Sequence, residues 1–473
     1  MKILRSPFFV FSILFIFLLF LLPPTDSDFG WHFRYGQYFM ETGKFLRENT
    51  LTYYLPGYVW NNSYGLYQIF TYSIYKVFGF LGLSLANSIL FVFSFVFFYK
   101  INPKLLKTNL ILFLFIILFG INVFGIGFRA QEFSFLFLIL EFFLLKKSEE
   151  NSKYFIFFIP LFILWVNIHG GFILGVIVLS AYLVNQIFGK NFKKAYLTTV
   201  FLIISVLATF INPYGINVYA EDIRHISTPM KLLIAEWLEP ILIFKLLILG
   251  FLLGCIYIAV RAKNKFKLFW LILLLVFSYL AFTAKRNLPF FALVTTLSLI
   301  NLKGDIFKRF EDSILAKKIT IPLLLLFIVF LLGFQIPKTF DITLNWKSYC
   351  TKGLLPYPCK AVDFIKKNNI QGTNVFSSYE WGGFLEWQLP NYKFFVDGRT
   401  PAWKTPEGKS PYTVYLELIQ AQPGYQERFE KYHTNWLLIG ANTFLDIELQ
   451  NNKNSPWKEV YRDSISVIYI PKH

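Results

Sequence analysis

The sequence predicts a polytopic α-helical membrane protein of about eleven transmembrane helices, followed by a C-terminal extracytoplasmic α/β domain. Three observations carry this. Of 473 residues, 55% are hydrophobic and only 16% are charged, whereas a soluble chain carries about a quarter charged residues. Apolar stretches such as Phe8–Leu22, Leu81–Tyr99, Leu110–Val123 and Ile319–Gly333 approach the ~20 residues that a bilayer requires. Beyond residue 336 charge rises and the long apolar runs stop.

Taken in order, the expected spans are 8–24, 80–99, 106–123, 131–145, 154–168, 172–189, 195–212, 241–261, 268–284, 288–302 and 319–335. The pair 154–168 and 172–189 is the shortest. Lys and Arg fall in alternate loops: Lys100 to Lys107, Lys146 to Lys153, Lys190 to Lys194, Arg261 to Lys267 and Lys303 to Lys318. That alternation is the positive-inside pattern. It accounts for the net charge of +18 without a nucleic-acid partner. Met1-Lys2-Ile3-Leu4-Arg5 and the apolar run after it have the charge pattern of a signal peptide. No small-x-small site follows, so this segment is read as a retained first span with its amino end inside, in the plasma (inner) membrane. Parity then puts loop 25–79, the turns near 124–130, 169–171 and 284–287, loop 213–240 and everything after 336 on the outer face.

Two domains follow: residues 1–335 in the membrane, including the long outer loop 25–79, and residues 336–473 as an α/β domain outside the cytoplasm, long enough for its own core. Within the loop, Trp31–Thr42 and Leu66–Phe78 have helical apolar spacing and abundant aromatics, the pattern of interfacial helices. Pro56-Gly57 and Asn61-Asn62 mark turns between them. In the outer domain Asn374–Ser377, Lys393–Val396, Trp436–Ile439, Lys458–Arg462 and Ser466–Ile470 read as strands. Ala361–Lys367, Tyr412–Gln420 and Gln426–Tyr432 read as helices. A helix is also expected to begin near Glu380, the first of the domain and facing the membrane part. Cys350 and Cys359 are either a disulfide or two free thiols; Cys255 lies inside a span and reads as packing.

The residues with chemical potential fall on the outer face. They are Asp26, Asp28, His32 and Arg34 in the first loop; Arg129 and Glu132; His169; Glu236; Lys285 and Arg286; and Glu380, Trp381, Asp397 and Arg399 in the outer domain. Ionisable groups at the bilayer edge are costly and mark functional sites. Paired acids such as Asp26 and Asp28 can share a divalent cation, Mg or Mn, through hard oxygen ligands. One acid can instead take a proton from an acceptor hydroxyl. Arg286, Lys285 and Arg129 suit a phosphate leaving group, which Arg can grip bidentately. Together these parts fit group transfer from a lipid phosphate.

Structural readings of the same residues stay open beside this one. Asp26 or Asp28 can cap the helix after them. Glu132 can complement a helix dipole. His169 can belong to a packed polar turn, Lys285 and Arg286 can snorkel, and Asp397-Gly398-Arg399 can be an ordinary turn. Paired broken segments of the inverted-repeat transporter kind are not seen in the sequence.

The phrases Asp28-x-x-Trp31-His32, Trp165-x-Asn167-x-His169-Gly170-Gly171, Asn212-Pro213-Tyr214-Gly215 and Trp381-Gly382-Gly383 with Asp397-Gly398-Arg399 resemble those of the GT-C superfamily, closest to a broad group of uncharacterised bacterial members. That superfamily carries an acidic motif in its first outer loop, where Asp26-Ser27-Asp28 stands here. The run Asp28–Arg34 is also similar to the first acidic motif of oligosaccharyltransferase catalytic subunits. Glu380-Trp381-Gly382-Gly383-Phe384 resembles a reduced form of their Trp-Trp-Asp-Tyr-Gly segment, lacking the Trp pair and the Asp. The resemblance implies a cell-envelope glycosyltransferase using a polyprenyl-phosphate-linked sugar, with Asp28, Asp26 and His32 catalytic and Arg286, Lys285 and Arg129 on the donor phosphate. Arg34, Glu132, His169, Glu236, Glu380, Trp381, Asp397 and Arg399 are the candidate substrate-binding residues. Transfer of a preassembled glycan to protein and a non-catalytic glycan-binding or partner-binding role are the alternatives.

Overall fold

A helix meets each of the eleven expected apolar segments, from Pro7–Leu19 to Ile314–Phe330. The computed structural model describes residues 6–228, 230, 233–261, 264–405 and 407–472; Met1–Arg5 and Lys263 lie outside them. Among the described residues three helices are long and apolar enough to cross a membrane: Gly65–Ile101, Leu242–Arg261 and Lys318–Leu344. The bent pair Lys285–Lys303 and Asp305–Asp312 makes a fourth if it is one span. Other apolar helices are shorter. Pro7–Leu19 has 13 residues, about 20 Å at the usual rise, against a hydrocarbon core of ~30 Å. Helix length and composition therefore support three or four spans by themselves.

The chain divides into two compact units: Met1–Pro23, Leu81–Ile216 and Ile234–Phe340 form the first, and Pro24–Phe80, Asn217–Leu233 and Asp341–His473 the second. This division is not the linear one at residue 335, because loop 25–79 groups with the carboxy-terminal segment.

The first unit is helical. The end of helix Pro7–Leu19 shows how a buried terminus is satisfied. The Gln335 amide donates to the Leu18 and Leu19 carbonyls at 3.0 and 2.7 Å, Thr339 Oγ1 to Leu21 O at 2.7 Å, and Asn87 Nδ2 to Phe20 O at 2.9 Å. These are the carbonyls that no helical N–H reaches. Helix Gly65–Ile101 is broken at Gly79, where φ is +62°. Only glycine takes that conformation without steric cost. The break separates the amphipathic half from the apolar half.

The second unit holds a five-stranded sheet, β1 (Asn374–Ser377), β2 (Lys393–Phe394), β3 (Trp436–Gly440), β4 (Trp457–Arg462) and β5 (Ser466–Pro471), in the order β2-β1-β3-β5-β4. β1 runs parallel to β2 and β3, with Val375 opposite Trp436; β5 is antiparallel to β3 and β4, with Ile468 opposite Leu438. Central β1 and β3 are buried along nearly their whole length, as inner strands covered on both faces are; β3 is a continuous apolar run, whereas β1 is apolar at Val375 and Phe376 alone. Phe376, Phe395, Leu418, Phe429 and Leu437 form the core. The first outer loop extends this sheet: Phe394 N donates to Leu51 O at 3.2 Å and Tyr53 N to Phe394 O at 3.0 Å.

The helices Phe29–Thr42, Cys359–Asn368, Pro411–Ile419 and Tyr425–Lys431 stand within two residues of the expected bounds. Cys350 and Cys359 are disulfide-bonded. One expectation is corrected. The first helix after the apolar region does not begin near Glu380; Trp346–Lys352 and Cys359–Asn368 precede it, and Tyr379–Trp381 is a 3-10 turn leading into Gly382–Gln388. That helix opens on Gly382 and Gly383, its first two residues.

Candidate active site

Helix Phe29–Thr42 begins directly after the two acids. Asp28 occupies the N-cap position, yet its carboxylate makes no capping bond. Instead Asp28 Oδ1 accepts the Trp31 indole N–H at 3.0 Å, and Asp28 N–H donates to Asp26 Oδ1 at 3.3 Å. The capping reading of Asp28 thus gives way to a carboxylate turned along the helix. Gly398 explains how it is held there: a Cβ on Gly398 would overlap the Asp28 carboxylate. The two helices beside it approach equally closely. A Cβ on Gly30 would strike the Gly383 carbonyl, and one on Gly383 the Ser27 carbonyl. Burial first, then the Asp26 and Asp28 carboxylates, pushes the Tyr357 phenol up, which puts both acids in the field of that ring.

His32, one turn on, is buried. Its ring lies 3.5 Å from that of Trp31 and edge-on to Tyr67 at 4.7 Å and Tyr64 at 5.3 Å. Asp28, His32 and Tyr35 share a face at helical spacing. Arg34 does not; its Nη1 donates to Gln37 Oε1 at 3.1 Å on the other side. Asp28 and His32 therefore share a face that Arg34 does not, although the Arg34 charge still reaches Glu386.

Asp397 and Arg399 are fully buried. Arg399 N donates to Asp397 Oδ1 at 2.8 Å, and its Nε to both carboxylate oxygens at 3.0 and 3.1 Å; Nη1 reaches Tyr35 Oη at 2.6 Å. The guanidinium also sits over the rings of Tyr35, Trp60 and Trp403, at 5.2 to 5.7 Å. Glu386 adds a second carboxylate at 3.5 Å. Burial first and Asp397 next push Glu386 well above the usual carboxylate range, with Arg399 opposing. Burial likewise pushes Tyr35 up to about 12. Asp397-Gly398-Arg399 is thus a locked turn that sets Gly398 against Asp28. Sequence reasoning missed Glu386 and Tyr35; the i+7 spacing of Tyr35 from Asp28 was the available signal. Glu380 is exposed. Trp381 is buried, and its indole N–H donates to Pro356 O at 3.1 Å.

The first unit gathers a second group. Arg129 pairs with Glu236 at 2.5 Å. Arg286 lies 4.6 Å over the Trp237 ring and reaches Gln131 Oε1 at 3.5 Å. Burial raises the Glu236 carboxyl, but Arg129 and Arg286 outweigh it and hold Glu236 below the usual range. Two guanidiniums thus share one carboxylate. The backbone N–H of adjacent Lys285 donates to Leu238 O at 3.0 Å. Glu132 Oε2 accepts the Arg129 N–H at 3.1 Å, the helix-terminal role open to it from sequence. His169 lies in a closed relay. Trp165 Nε1 donates to Ser134 Oγ at 2.7 Å, Ser134 Oγ meets His169 Nδ1 at 2.7 Å, and Gly171 N–H donates to the same nitrogen at 3.0 Å. That favours the tautomer with its proton on Nε2. The Asn212 side chain closes its own turn, bonding Thr209 O, Gly215 O and Tyr214 N–H. Among the described residues no three His, Cys, Asp or Glu groups gather as a metal site. Asp26 and Asp28 supply two carboxylates, the number that Mg typically takes when substrate phosphate completes its shell.

No family model and no curated protein sequence matches this chain. Solved structures do. The oligosaccharyltransferase of Archaeoglobus fulgidus, tethered with an acceptor peptide containing the NVT sequon, is 11% identical with a TM-score of 0.60, covering 93% of this chain and 70% of that one. The same organism's AglB, in complex with an inhibitory peptide and a dolichol-phosphate, is 12% identical with a TM-score of 0.57, covering 94% and 70%. ArnT from Cupriavidus metallidurans, bound to undecaprenyl phosphate, is 10% identical with a TM-score of 0.56, covering 97% and 96%. At these identities the likeness is one of fold. The chain shares the fold of these solved structures, in keeping with the resemblance noted from its motifs.

Proposed function

We propose that this chain is a multi-pass plasma-membrane glycosyltransferase that moves a sugar from a polyprenyl-phosphate-linked donor to an acceptor hydroxyl outside the cytoplasm. On this reading the eleven apolar helices of residues 1–335 lie in the membrane and residues 336–473 stand outside it. The observation that carries the proposal is the Asp28 carboxylate, aimed by the Trp31 indole and bounded by Gly398 in a fold whose solved members bind polyprenyl phosphates.

In the reaction the acceptor oxygen bonds to the anomeric carbon as the bond from that carbon to the phosphate oxygen breaks. The electron pair leaves with the phosphate, which gains a negative charge, and the acceptor proton passes to Asp28. Asp26 supports Asp28 through its backbone N–H, and His32 packs the same helix face. Arg286 with Lys285, and Arg129 through its tie to Glu236, are the groups assigned to the phosphate, where stabilising added charge is the main catalytic term. A divalent cation, if used, would be held by Asp26 and Asp28 and would neutralise phosphate charge. ArnT, matched over 96% of its own length, supports a transferase of this size without the additional length of the archaeal oligosaccharyltransferase.

Asp28→Asn is the direct test. The purified variant should insert and melt like the wild type while losing on the order of 10²–10⁴-fold in transfer from a polyprenyl-phosphate sugar. Wild-type turnover by that variant would end the assignment.

A further inference from the structure

At the ends of the first-unit helices that carry the lysine-rich loops lies a cavity of about 250 Å³. Its walls are aromatic, from Tyr182, Phe266, Phe269 and Trp270, and its mouth is charged, from Lys146, Glu149, Glu150 and Lys265. Glu149 is already saturated. Lys194 and Lys265 each reach its Oε2 at 2.8 Å, and Tyr182 Oη and Gln186 Nε2 bond its Oε1. Glu150 is paired with Lys147 at 2.8 Å. Lys146 differs. Its Nζ is held by two neutral acceptors, Ile101 O and Asn102 Oδ1, and among the described residues no carboxylate lies within ion-pair distance of it. The lining itself holds two lysines and two carboxylates; Lys147 and Lys194, outside the lining, pair those same acids, so four lysines meet two carboxylates around the mouth. Glu150 acts on Lys146 only through space and is engaged by Lys147; a half-buried ammonium with no directly paired carboxylate is unfavourable until an anion arrives.

We propose that this cavity binds the phosphate headgroup of an anionic phospholipid, with Lys146 and Lys265 on the phosphate and the apolar tail lying along the aromatic wall. The charge excess selects an anion. The aromatic wall selects an amphiphile over a small ion. The position, where basic loops meet apolar helices, is where basic pockets between membrane helices take lipid headgroups. Lys265 Nζ also lies 4.7 Å over the Phe266 ring, so the cation is ordered before any ligand arrives. The inference does not depend on the outer-face reading.

Native mass spectrometry of the full chain in neutral detergent, with phosphatidylglycerol and phosphatidylcholine added in equal amounts, tests it. The wild type should retain phosphatidylglycerol preferentially. Lys146→Met and Lys265→Gln should each lower that retention about fivefold and leave phosphatidylcholine unchanged. The Lys265 side chain is 73% exposed, so its replacement does not threaten folding and keeps the test interpretable if Lys146→Met misfolds. Equal phosphatidylglycerol retention by wild type and Lys265→Gln would overturn the proposal. Displacement of the lipid by millimolar inorganic phosphate alone would overturn the lipid assignment and leave a soluble phosphate as the ligand.

Discussion

Arg399 and Arg286 both set a guanidinium against aromatic rings, and they show how differently the same side chain can be employed. Arg399 is fully buried, gripped by Asp397 through three nitrogens, bonded to Tyr35 and surrounded by three rings. Nothing further can reach it. Arg286 is half-buried, covers one face of Trp237, and shares the single carboxylate of Glu236 with Arg129. The first is a structural bolt that aims a neighbour; the second is the group proposed to meet the donor phosphate. Burial, rather than residue type, separates the two settings.

The largest effect that would break this contrast is at Arg399. Replacing it with Met leaves Asp397 and Glu386 buried without their cation, and removal of one partner of such a group costs about 3–5 kcal/mol. Expression and thermal unfolding in detergent should show a gross loss. A melt like the wild type's would mean the bolt is ornamental. Next is Gly398→Ala. The added methyl must displace the Asp28 carboxylate, and a shift of that kind costs on the order of 10²-fold in rate. Unfolding should change little, so kcat falls while the melting temperature holds; unchanged kcat would separate Gly398 from Asp28. Third, Arg286→Gln should weaken donor binding about tenfold, a loss of ~1.4 kcal/mol, with acceptor affinity unaltered in a titration with polyprenyl phosphate. Equal donor affinity would remove Arg286 from the phosphate.

The smallest effect is a pH dependence. Glu386 is raised in the fold by burial and Asp397, so the folded state favours its protonated form. Its contribution is fully present below the unfolded value of about 4.3 and is lost as pH rises towards the folded value. Glu386→Gln should therefore melt higher than the wild type at pH about 7, and the gain should fade by pH about 4. A gain independent of pH would show that Glu386 is not the titrating group.

Much of this was legible in the sequence because it is local. β1 over Asn374–Ser377 follows from a short apolar run between turn residues, and helix Phe29–Thr42 from apolar spacing after two acids. Asp28 and His32 fall on one face by helical arithmetic alone. What escaped is non-local or depends on length. Thr52 pairs with Phe394 through one bridge, too short to leave a pattern, so the first loop looked like part of the membrane half. Glu386 has no signature of its own; its partner Arg399 lies just beyond β2, and only the fold brings the two together. The His169 motif was legible as a pattern but not as a relay, since Ser134 lies on a preceding helix. The apolar runs revealed where helices are, but not that many are shorter than a bilayer is thick.

The bond between Tyr35 and Arg399 joins residues 364 positions apart. At synthesis rates of about 5–20 residues per second, the second partner emerges roughly 20–70 s after the first. Until then the loop bearing Asp26 and Asp28 has neither Gly398 to bound its carboxylate nor β2 to pair with. A nascent chain halted before β1 would already contain every acid of that loop and the Trp31 indole that meets Asp28, but not the turn that bounds its carboxylate. The proposed chemistry would thus switch on only when the last third of the protein has been made and has folded against the first loop.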